Sequence, residues 1–142
     1  MEKKKLARIL QECGFISLDD DSYARLVSTN VFVASNDDNP GCPLPDDKKS
    51  ILIRAIIREK SHTLVSCVSS LLAHLDETFS SYSIMSVNSN LMGCKLAKIA
   101  SEVYLISSFN CNLYHDCVEH LVKEAITDMR TGADLAYKIV HD

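Results

Sequence analysis

The placement of proline and glycine constrains this chain more than any other feature. All three prolines stand between Asn36 and Pro45, and neither proline nor glycine recurs from Asp46 until Gly93. A long stretch without a breaker favours regular elements, and its apolar residues recur at three- and four-residue spacing. Ile51, Ile53, Ile56 and Ile57 read as the packed face of a helix that starts near Lys48, where Asp46 and Asp47 supply N-cap chemistry. Leu64, Val65, Val68, Leu71, Leu72 and Leu75 form the next stripe, and the polar block Arg58 to His62 marks a bend between the two. A further break falls near Asp76-Glu77. Phe79, Tyr82, Ile84, Met85 and Val87 then give a short helix leading into a turn at Asn88 to Asn90.

The two ends continue the pattern. Leu6, Ile9, Leu10 and Cys13 make one stripe on a short first helix, and Gly14 supplies its C-cap. Asp19 to Asp21 read as a turn, with Tyr23, Leu26 and Val27 as another helical stripe. Val31 to Val33 fit either a strand or an apolar loop segment. Asn36 to Pro45 is a linker. Beyond Gly93, residues Leu96, Ile99, Ala100, Val103, Tyr104 and Ile106 read as a buried helix, broken at Asn110 to Asn112. Leu113, Cys117, Leu121, Glu124 and Ile126 carry a final long helix, with Val118, Val122 and Ala125 widening its face. Gly132 should end it, before a short amphipathic piece through Leu135, Ala136, Ile139 and Val140. The expected architecture is all-α, a bundle of about seven helices.

A chain of 142 residues is expected to be one domain, 1–142, with a Pro/Asp/Asn-rich loop at about 35–46. Fifteen Lys and Arg against 19 acidic residues leave a net charge of −4, which argues against a nucleic-acid partner. No apolar run is long enough for an integral membrane helix, and the amino terminus lacks a signal peptide's apolar stretch. The six cysteines form no CxxC framework and mostly fall where a helix wants a small apolar residue, as in a reduced compartment.

Catalytic and metal chemistry find little support. Cys111, His115, Cys117 and His120 are the only cluster of ligand types, and on one helix the first pair points away from the second. There is no local Cys–His pair with an orienting group and no glycine-rich phosphate loop. Neither an enzyme nor a cofactor is expected.

One resemblance covers most of the chain. Asn90-Leu91-Met92-Gly93-Cys94-Lys95, opening an apolar segment, resembles the BH1 motif of Bcl-2 proteins. Leu6 to Phe15 resembles their BH4 helix, and Thr131 to Val140 their BH2 segment. The resemblance implies a Bcl-2-like bundle around a central apolar helix, of the kind found in large DNA viruses such as iridoviruses and poxviruses. It further implies a surface groove for a BH3 helix, walled by helices over about 48–60, 62–75 and 78–88. The ligand groove would comprise Arg58, Leu64, Val68, Leu72, Tyr82, Met85, Asn90, Gly93, Cys94 and Lys95. The family's BH1 arginine is replaced by Cys94, so Lys95, Lys98 or Arg58 would have to meet the ligand's aspartate, and narrow specificity follows. Lys98 and Glu102, four apart, would pair on that helix.

The function so implied is anti-apoptotic. The protein would sequester BH3 helices of pro-death partners of the Bim, Bak or Bax type. It would do so in the host cell cytoplasm, meeting mitochondria through those partners. A homodimer covering the groove is a further expectation. The alternative is a Bcl-2-fold viral immune modulator that binds signalling adaptors through its outer faces and lacks a working groove.

Overall fold

A computed structural model describes residues 3–19, 21–35, 49–57, 62–67, 81–99, 102–109 and 117–141. The elements run α1 (Lys3–Glu12), β1 (Ile16–Ser17), β2 (Ser22–Val33), β3 (Lys49–Ile57), β4 (His62–Cys67), α2 (Ser81–Asn88), β5 (Lys95–Ile99), β6 (Glu102–Phe109) and α3 (Val118–His141). The strands form one antiparallel sheet in the order β1-β2-β3-β4-β6-β5. The expected all-α, Bcl-2-like bundle of about seven helices is therefore corrected to a mixed α/β fold.

The helical reading failed where apolar runs are short and β-branched. β3 presents Ile51, Ile53 and Ala55 to one face and Leu52 to the other, all buried. A strand covered on both faces loses its alternation in the sequence and can be mistaken for a helix. The segment after Gly93, expected as a central helix, is a hairpin instead. Leu96 stands opposite Leu105, Lys98 opposite Val103, and Ile99 opposite Glu102. Lys98 and Glu102 consequently lie on facing strands at adjacent rungs, not one helical turn apart. In β6, Val103, Leu105 and Ser107 are buried while Glu102 and Ser108 are exposed. That is the two-residue period of a half-buried strand.

Tyr23, Leu26 and Val27 belong to β2, not to a helix, and Val31 to Val33 complete the same strand. α1 ends as its sequence predicts. Gly14 takes φ +88°, its N–H donates to the Gln11 carbonyl, and the Phe15 N–H donates to the Leu10 carbonyl, each at 3.0 Å. These are the two bonds of a Schellman cap, completed by the buried pair Leu10 and Phe15.

The three helices among the described residues share one core. Leu6 and Leu10 of α1, Ile84 and Val87 of α2, and Val118, Val122, Met129 and Ala136 of α3 cluster with the strand residues Val27, Ile51, Ile53, Leu96 and Leu105. Gly132 does not end α3. A Cβ there would come within 2.7 Å of the Cys94 sulfur, so the missing side chain lets the helix lie close against the segment entering β5.

Candidate functional site

Two features of the described residues are candidates for function: the sheet face turned away from the helices, and a cavity at a bulge in β2. Strand register defines the first. Val27 pairs with Ile51 and Arg25 with Ile53 on the helix side, so Leu26–Leu52, Ala24–Arg54 and Ser22–Ile56 occupy the opposite face. On β6 and β5 the same face carries Tyr104, Ile106, Ala97 and Ile99, with the charged Glu102 and Lys95 at its margins. Leu52 and Ala24 are buried, yet they stand outside the core cluster formed with the helices. Leu26, Ile56, Tyr104 and Ile106 are half-buried, and Ile99 is 57% exposed. The sheet thus has a second apolar surface that no described helix joins to the core.

The bulge arises because Ser28 and Val33 both pair with Ser50, which loops Thr29 to Phe32 out of the ladder. Their backbone donors must then find other acceptors. Asp134 of α3 provides them. Its Oδ1 accepts from the N–H of Val31 at 2.9 Å and of Phe32 at 3.0 Å, and its Oδ2 from Asn30 at 2.9 Å. Thr29 Oγ1 donates to the Phe32 carbonyl and closes the loop. Although burial acts to raise its pKa, the three N–H bonds and the nearby Lys138 hold the Asp134 carboxyl below its ordinary value. Beside this latch lies a cavity of about 470 Å³, with Ser28, Thr29 and Asn30 on one wall and Arg130, Thr131 and Lys138 on the other.

The residues expected to form a helical groove are distributed over strands and helices where they are described. Leu64 lies in β4 and Tyr82 and Met85 in α2, while Arg58, Val68 and Leu72 lie outside the described residues. The expected helical walls at 48–60 and 62–75 are corrected to β3 and β4 over the described residues. Met85 is 68% exposed and Asn90 is exposed at the turn after α2. Gly93 does permit close approach, at φ +74°, but to Asp128 of α3: an added Cβ would strike that carboxylate.

Cys94, expected in the BH1 arginine position, is buried. Its thiol donates to the Asp128 carbonyl at 3.5 Å, and desolvation with the Asp128 charge pushes its pKa up to about 11. It is therefore a packing residue and a poor nucleophile. Lys95 points back to α2, where its Nζ donates to the carbonyls of Asn88 and Leu91, each at 2.9 Å. A cation there sits favourably at the carboxyl end of α2 and ties the following turn to it. Asn88 completes the joint by receiving the Leu96 N–H at 2.7 Å and donating to the Leu96 carbonyl at 3.0 Å, as a neighbouring strand would.

Of the cluster weighed as a metal site, Cys111 and His115 lie outside the described residues. Cys117 is exposed, and His120 sits 3.2 Å from Glu124 on the surface of α3. Among the described residues no three His, Cys, Asp or Glu side chains are grouped to hold a metal. None of their helices is long and apolar enough to cross a membrane.

Sequence reasoning missed Asp134, which stood unremarked between Gly132 and Leu135. Its signal was weak: an acidic residue amid alanines on the buried stripe of an amphipathic helix. Compared with known proteins, the chain matches no family model, no curated sequence and no solved structure.

Proposed function

We propose that this protein acts by association, with the outer face of its sheet as the docking surface and a second copy of the chain as the occupant. The observation that carries this reading is the apolar surface formed by Leu26, Ile56, Tyr104, Ile106 and Ile99, which stands apart from the helix-lined core. Partly exposed apolar surface outside a domain's own core marks interaction sites, and antiparallel sheets bury such faces by packing on another sheet. A two-fold pairing would lay the stripe against itself. The expectation retained from the sequence is the coarse one, that the chain works by binding and not by catalysis. The groove for a BH3 helix rested on an all-α bundle and is not carried forward.

Sedimentation equilibrium of the wild type and of a Tyr104→Lys, Ile106→Lys double variant tests the proposal. The expected result is a wild-type dimer that dissociates to monomer in the variant, with unchanged far-UV circular dichroism. A wild type that stays monomeric at every concentration and binds no apolar dye contradicts it. So does a dimer unaffected by both substitutions.

A further inference from the structure

The cavity at the β2 bulge has a charge arrangement that its own fold leaves incomplete. Arg130, Asp134 and Lys138 follow one another at four-residue intervals on α3, the spacing at which a helix pairs opposite charges. In this protein the central carboxylate is turned to the bulge, although Lys138 stays near enough for its charge to act on it. Each of its oxygens is engaged by backbone N–H groups of the bulge, and neither cation forms an ion pair with it among the described residues. Two exposed cations consequently flank a cavity whose other walls offer the Ser28 and Thr131 hydroxyls, the Asn30 side chain, the apolar Leu135 and the Asp134 carboxylate, whose oxygens are already engaged by the bulge. Arg130 and Lys138 can only donate, the hydroxyls and the Asn30 amide can donate to a ligand as well, and the ligand that matches the two cations supplies acceptor oxygens and negative charge.

We propose that this cavity is a binding site for carboxylate groups, held between Arg130 and Lys138. A volume of about 470 Å³ lies within the range of small-ligand pockets. Two features favour carboxylate over phosphate. The cluster of backbone N–H groups that would cradle a phosphate is already filled by Asp134. The two cations also rise from positions ~12 Å apart along the helix, which suits two carboxylates spread over a few carbons better than one compact dianion. Such a ligand is either a free short dicarboxylate or a pair of acidic side chains on a peptide. This site is separate from the outer sheet face and does not depend on association there.

The test is an amide chemical-shift titration of the full ¹⁵N-labelled chain at low salt with glutarate, with hexaglutamate and with inorganic phosphate. Saturable shifts confined to residues 28–30 and 130–138, with glutarate or the peptide binding more tightly than phosphate, support the proposal. Equal affinity for glutarate and peptide assigns the site to a free dicarboxylate, and a much tighter peptide assigns it to an acidic chain. Arg130→Gln and Lys138→Gln, both at exposed positions, should keep the spectrum of the folded protein and weaken binding about tenfold each. Absence of saturable shifts with both carboxylates overturns the assignment. Preference for phosphate, or affinity unchanged in the double variant, does the same.

Discussion

Two residues on α3 show how a single side chain sets the packing. Gly132 would ordinarily weaken a helix, and replacement by alanine in an open helix stabilises by about 0.5–1 kcal/mol. Here the added methyl meets the Cys94 sulfur at 2.7 Å. Gly132→Ala should therefore destabilise, by about 1–3 kcal/mol as overpacking does. Adding Cys94→Ala should recover most of the loss, which a double-mutant cycle of urea denaturation would read as strong coupling.

Asp134 is the second such residue. Its carboxylate satisfies three donors freed by the bulge, so Asp134→Asn, with an amide facing N–H groups, should cost about 2–4 kcal/mol near neutral pH. The sign with pH follows from the lowered pKa. The carboxylate's contribution is fully present above the ordinary value of 3.8 and is lost as pH falls through the depressed folded value. Chemical denaturation of wild type and variant should differ by a constant amount above about pH 5 and converge in stronger acid.

At the level of elements, the joint between α2 and β5 is the most informative. β5 is an edge strand, and such edges need cover. Asn88 bonds both backbone groups of Leu96, and Lys95 holds the end of α2. Asn88→Ala should cost about 1–2 kcal/mol and raise amide exchange at Leu96 more than at Leu105.

The same region shows what the sequence made legible and what it concealed. The turn through Asn90 to Gly93 and the helix before it were readable from Asn88, Asn90 and Gly93. The element after the turn was not. Leu96, Ile99, Val103 and Ile106 keep helical spacing, while the alternation that marks a strand is confined to Glu102 through Ser108. α1 and α3 were legible because their stripes run over several turns, as Val118, Val122, Met129 and Ala136 do. β3 was not, because Ile51, Leu52 and Ile53 are buried on both faces. Asp134 gave only a weak signal, since its partners lie about a hundred residues away on a bulge that only the folded sheet creates.

For the whole molecule, the consequence of these placements is a sheet with two unlike faces. One is sealed by three helices around Ile51, Ile53 and Leu105, and the other carries Leu26, Ile106 and Ile99 outside that core. Association through the second face follows from this asymmetry. The direct measurement is methyl NMR of the labelled chain with a soluble paramagnetic probe, recorded over a range of protein concentrations. In dilute solution the probe should broaden Ile99, Leu26 and Ile106 while sparing Ile51, Ile53 and Leu105, and the broadening should fade as concentration rises and copies pair. Equal protection of both sets in dilute protein, or broadening of the outer set that no concentration relieves, would contradict the account.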